Sequence, residues 1–103
     1  MIRIAAIYPN TAGSRFDGAY YTGQHTAFAR ELLDPHGLMA ISTSLGHAAL
    51  DGGAPPFWAY SEMVFPSRQA FDAAITACGA ALFADIPNYT DVTPVLQECS
   101  ASN

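Results

Sequence analysis

His25 and Tyr21 are the two side chains whose types and spacing point most directly to chemistry. An imidazole titrates near pH ~6.5, so His25 can take or give a proton around neutrality without help from a neighbour. Tyr21 stands one helical turn earlier, where its phenol can hydrogen-bond the ring or a substrate oxygen. The pair suits acid/base work on a small molecule. The ordinary alternative is a histidine lodged between helix and sheet and satisfied by a neighbour.

A pocket around that pair would be walled by Tyr8, Phe28, Trp58, Tyr60, Phe65 and Tyr89, whose apolar bodies and, in some, polar tips suit an organic ligand. The same residue types also make plain core or subunit interface. Asp85 and Asn88 flank Pro87 in a turn, where short polar side chains commonly bond the local backbone, and nothing in their spacing pairs them with His25. Glu62 lies among apolar residues and is read as an edge-facing charge rather than a second site.

His36 and His47 stand at no tight metal-binding interval from His25, so no metal site is expected. Neither a GxxxxGK nor a GxGxxG loop occurs, so a nucleotide cofactor has no cradle and no cofactor is expected. Cys78 and Cys99 form no CxxC pair and read as reduced thiols.

These residues need elements to position them. Ile2–Tyr8 is apolar at both alternating sets, as in a strand covered on both faces, and Pro9-Asn10 closes it. Asp17 is an N-cap for a helix running to about Asp34, with Pro35-His36-Gly37 as its stop; Tyr21, His25, Phe28 and Leu32 fall on one face of it. Leu38–Gly46 and Phe57–Phe65 alternate as two strands joined by a long hairpin containing Gly52-Gly53 and Pro55-Pro56. Ser67 caps a second helix through Ala70, Phe71, Ala74, Ile75 and Cys78, with Gly79 as its expected break before a short turn. Val92–Cys99 is a last strand, in which Pro94 favours an edge, a strand end or a bulge, and Ser100–Asn103 is a loose tail.

Strand, helix, strand, strand, helix, strand is an α+β order, the ferredoxin-like βαββαβ unit: a four-stranded antiparallel sheet with both helices on one face. The other face is left bare. With 103 residues the chain fits one domain, residues 1–103. Half of it is hydrophobic and only 13% is charged, against about 25% in ordinary domains. A small core cannot hide so much apolar surface, so the bare face is expected to meet a second copy in a homodimer.

There are four cations and nine acids, net charge -5, which disfavours nucleic acid and anionic membrane surfaces as partners. No apolar run approaches the ~18 residues of a spanning helix, and strand-like residues follow Met1 at once. A cytoplasmic location is the simple expectation.

Three places resemble the EthD family of small dimeric α/β-barrel proteins. They are Ile7-Tyr8-Pro9-Asn10 leading to Arg15-Phe16-Asp17, the helical Tyr20-Tyr21-x-x-x-His25, and Ala84-Asp85-Ile86-Pro87-Asn88-Tyr89-Thr90. Family members usually continue the histidine motif as His-x-Pro, whereas this chain has His25-Thr26-Ala27. The resemblance implies a ferredoxin-like dimeric α/β barrel that acts on or binds a small, mostly apolar organic molecule, with cofactor-free acid/base or oxidative chemistry in a degradation or polyketide-type pathway. The alternative it implies is a non-enzymatic binding or accessory protein of an oxidising, monooxygenase-type system, as in ethyl tert-butyl ether breakdown.

Overall fold

The computed structural model describes residues 1–100, so the part of the expected tail from 101 onward lies outside the described residues. The elements run β1 (Ile2–Pro9), helix α1 (residues 18–33), β2 (Ala40–Leu45), β3 (Phe57–Phe65), α2 (Arg68–Asp85) and β4 (Val95–Cys99). The sheet order is β2-β3-β1-β4 with every neighbouring pair antiparallel. This is the α+β, ferredoxin-like arrangement that the order of elements predicts.

Both caps read from the sequence are present: Asp17 accepts from the Tyr20 amide at 3.1 Å and Ser67 from the Ala70 amide at 3.1 Å. A 3₁₀ turn at Asp34–His36 ends the first helix, and Gly37, at φ 101°, takes the left-handed conformation that a side chain would resist. Past β2, the chain passes so close to β3 that a Cβ on Gly46 would run into the Phe57 carbonyl oxygen.

Four local expectations are corrected. Helix α1 is not uniform, because Tyr21–His25 forms a π-helical turn between α-helical Gly18–Tyr20 and Thr26–Leu33. Helix α2 does not break at Gly79: the glycine is buried and the helix continues to Asp85, followed by a 3₁₀ turn, Ile86–Asn88. Strand β4 begins at Val95, immediately after Pro94, and is an edge strand, where a proline start costs no ladder bond. Glu62 is not at an edge, since β3 is interior; its carboxylate takes Arg3 Nη1 at 2.7 Å and the Tyr60 hydroxyl at 3.0 Å, and both bonds hold its pKa below the usual carboxylate range.

Two buried clusters fill the layer between sheet and helices. Ala29, Leu33, Phe65, Ala74, Cys78 and Leu82 form one, and Ala6, Tyr8, Tyr21, Ala59 and Tyr89 the other. The opposite sheet face is mixed rather than oily. By strand alternation it carries Ile7, Tyr60, Val64 and Val95, but also Ser42, Ser44, Gln97 and the Arg3–Glu62 pair.

One described helical stretch, Arg68–Asn88, does have the length and apolarity of a membrane span, with a mean hydropathy of 1.3 over its best window, contrary to the expectation from apolar runs. Alanines account for much of that value. Its Ala74, Cys78 and Leu82 are buried against the sheet, the position of a core helix.

Candidate active site

The tyrosine-rich cluster lies where α1, the end of α2 and the first strand converge. The π turn shapes its α1 wall: the Thr26 hydroxyl donates to the Tyr21 carbonyl at 2.7 Å, and the Thr26 amide donates towards both the Gly23 and Tyr21 carbonyls. A wider turn of this kind brings residues five apart nearer to one side than an α-helix does, and such turns recur at functional sites. Here Tyr20 and His25, five apart, reach the same carboxylate.

That carboxylate belongs to Asp85. Its Oδ2 lies 2.8 Å from His25 Nδ1, and its Oδ1 accepts from the Tyr20 hydroxyl at 2.7 Å and from Asn88 Nδ2 at 2.8 Å. The side chains of His25 and Asp85 are only 12% and 13% exposed, so this is a sheltered pair rather than a surface ion pair. Burial alone would raise the Asp85 carboxyl; the hydrogen bonds from His25, Tyr20 and Asn88 outweigh it and hold the pKa below the ordinary range.

An ionised Asp85 can only accept, so Nδ1 of His25 carries the donated proton and a neutral ring is left with a lone pair on Nε2. Nε2 faces the Tyr89 hydroxyl at 3.3 Å, and that hydroxyl is 2.6 Å from the hydroxyl of Tyr8. Each hydroxyl has one proton to give, so the chain runs Tyr8 to Tyr89 to Nε2. Burial pushes the phenols of Tyr21 and Tyr89 well up and raises that of Tyr8 above its ordinary value, which keeps all three neutral across the physiological range. Tyr21 stacks on the His25 ring at 5.7 Å and 15°, and the Tyr89 ring lies tilted to it at 4.6 Å and 52°.

His25, Tyr21 and Tyr8 line a narrow internal cavity of about 70 Å³, whose other wall side chains are apolar except for Thr26, Thr43 and Ser61. Phe83, Ile86, Pro94 and Leu96 are shared with a larger outer cleft of about 560 Å³ between the end of α2 and the approach to β4. The narrow cavity and the wide cleft therefore adjoin across these four side chains.

Of the expected site residues, the fold brings together His25, Tyr21, Tyr8 and Tyr89. Trp58 packs against this cluster, stacked on Phe16 at 6.1 Å with Nε1 on Ser14 Oγ at 2.8 Å, without lining the cavity. Phe65 and Phe28 belong to the other cluster, and Tyr60 is 39% exposed on the bare sheet face, bonded to Glu62, so these three do not join the site. Asp85, Asn88 and Tyr20 were missed. Their signal was the spacing of Asp85, Asn88 and Tyr89 at i, i+3 and i+4, legible only if the helix is carried past Gly79. Among the described residues no group of three or more His, Cys, Asp or Glu side chains could hold a metal ion.

The family model described as EthD domain matches residues 14–93. The chain is similar to the crystal structure of an EthD-like protein from Ralstonia eutropha JMP134, with 35% identity and a TM-score of 0.86, covering 95% of this chain and 88% of that one. An ethyl tert-butyl ether D (EthD) family protein from Bacillus halodurans C-125 aligns at 16% identity and a TM-score of 0.61, covering 92% and 96% of the two chains. A structure described as an antibiotic biosynthesis monooxygenase aligns at 16% identity and a TM-score of 0.51 over 100% of both chains, a likeness of fold alone. No curated protein matches the sequence.

Proposed function

The chain belongs to the EthD family, and from that premise we propose that it takes a small, mostly apolar organic molecule into the cleft between α2 and β4 and acts on it by acid/base chemistry at His25. The observation that carries this reading is the 2.8 Å contact of Asp85 Oδ2 with His25 Nδ1. It orients the ring of His25, which lines the inner cavity, and leaves Nε2 as the basic atom, in contact with the Tyr89 hydroxyl.

The internal cavity of about 70 Å³ is the space of roughly two waters, so it takes only the reacting end of a substrate. The body fits the outer cleft of about 560 Å³, within the roughly 300 to 1,000 Å³ usual for organic ligands. A bound substrate displaces the 3.3 Å Tyr89 contact from Nε2, which then removes a proton from the substrate and returns it to the product, while the neutral hydroxyl of Tyr21 hydrogen-bonds a substrate oxygen as charge develops there. No metal or organic cofactor enters this reading. Turnover of candidate carbonyl compounds should fall by about 10²-fold or more in His25→Gln, the usual weight of a general base. Equal turnover by the parent and by both His25→Ala and His25→Gln would remove the catalytic role.

The narrowness of the internal cavity favours a second reading, in which the molecule stays in the outer cleft and the protein carries it or serves an oxidising partner system. That reading predicts saturable binding without turnover. In either case the working form we propose is a cytoplasmic homodimer with the bare sheet faces together, and neither nucleic acid nor membrane is a partner. Val95 at 53% exposure and Tyr60 at 39% are the apolar surface such a contact would cover. A stable interface buries about 1,200 to 2,000 Å² in total, so light scattering at micromolar concentration should give twice the chain mass; a monomer there would contradict the dimer.

A further inference from the structure

Arg15 is the one cation in the wall of the outer cleft, whose other side chains are apolar except for Thr90, Asp91 and Thr93. Its backbone is tied down on both sides. The Arg15 amide donates to Asp91 Oδ1 at 3.0 Å, its carbonyl accepts from Thr90 Oγ1 at 2.7 Å, and Phe16 bridges to Thr90 in a short antiparallel pair. The guanidinium itself is little used. Of its five N–H donors only one, on Nη2, has a protein partner among the described residues, the Pro87 carbonyl at 3.1 Å, and no carboxylate pairs with it there.

We infer that Arg15 is the head-group receptor of the cleft and that the ligand is an organic monocarboxylate with an apolar body. Resting on the cleft assigned above, this reading names the class of molecule that enters it. A guanidinium held by a neutral carbonyl keeps its charge and most of its fork free, and a carboxylate is the partner that fits the fork with two parallel bonds. Phe83, Ile86, Val92, Pro94 and Leu96 supply the apolar wall for the rest of the molecule. Asp91 works against an anion, but its Oδ1 is engaged by the Arg15 amide. Its charge limits the affinity without changing the class of ligand.

Calorimetric titration of the protein with 2-naphthoate and with the neutral 2-naphthamide, at low salt, tests this. The parent should bind the acid at least about tenfold more tightly than the amide, the scale of a charge-assisted pair. Arg15→Gln should bring the two affinities together, Arg15→Lys should keep part of the preference, and Asp91→Asn should tighten the acid without moving the amide. Should Arg15→Gln fail to fold, the parent's acid-to-amide ratio and the Asp91→Asn shift decide the matter. Equal binding of the two compounds by the parent would overturn the role of Arg15 and leave the cleft intact. If neither compound binds saturably, the cleft assignment falls and this inference with it.

Discussion

Phe65→Ala is expected to unfold much of the protein's margin of stability, costing about 3 to 5 kcal/mol, while leaving ligand affinity in the surviving folded protein unchanged within about twofold. Phe65 is fully buried at the end of β3, with its ring edge-on to Phe71 at 5.4 Å and 73°. It packs in the cluster that joins Ala29 and Leu33 of α1 to Ala74, Cys78 and Leu82 of α2. No small neighbour can refill the space, so the loss combines transfer and cavity terms. For a domain of this size that is a drop in Tm on the order of 12 °C or more, visible in a thermal melt. Phe65 lines neither the inner cavity nor the outer cleft, so 2-naphthoate titration well below the new Tm should match the parent. A parental melting curve would refute the packing, and a folded variant that has lost binding would return Phe65 to the ligand.

The contrast between Phe65 and Tyr89 shows why the fold was more legible than the site. Alternation along β3 and helical spacing in α1 and α2 are local signals, and they led to the right elements, the right order and a common buried face. Which buried aromatics gather round a histidine depends on where elements meet, and composition carries no trace of that. Phe65 and Tyr89 are both fully buried, yet one sits under the far ends of the helices and the other 4.6 Å from the His25 ring. The bare sheet face misled in the same way: strong alternation promised two oily sets, but Arg3 and Glu62 neutralise each other across neighbouring strands and make half of that face polar.

The site's carboxylate was hidden by a glycine. Gly79 in an alanine-rich helix reads as a break, since glycine weakens a helix by about 1 kcal/mol relative to alanine. In the fold it is buried and packed, with Ile75 close to where a side chain would begin, and α2 runs on for six more residues. That continuation sets Asp85 and Tyr89 on one side of a common helical turn and aims both at His25. The π turn at Tyr21–His25 was equally invisible, because the 21, 25, 28, 32 spacing satisfies an ordinary α-helix. The wide turn is held by the Thr26 hydroxyl and amide.

Asp85→Asn should therefore damage both stability and chemistry, and pH separates the two contributions. Three donors converge on the Asp85 carboxylate, and an asparagine offers them a single acceptor oxygen and adds an N–H of its own. Leaving sheltered donors unpaired costs about 1 to 3 kcal/mol each, not additively, so a loss of roughly 2 to 4 kcal/mol at neutral pH is expected. The sign of the pH dependence follows from a carboxyl whose folded pKa lies below its ordinary value of 3.8. Its stabilisation is fully present above that value and is lost as pH falls through the folded pKa. The gap in Tm between parent and variant should be full at pH 7 and narrow below about pH 4. In the same variant the Nδ1 proton loses its acceptor, so nitrogen NMR of His25 should report mixed tautomers where the parent shows a bare Nε2, and turnover should fall to that of His25→Gln. A variant with the parental tautomer and activity would mean that Asp85 only braces the turn at Pro87 and that His25 is positioned by something else.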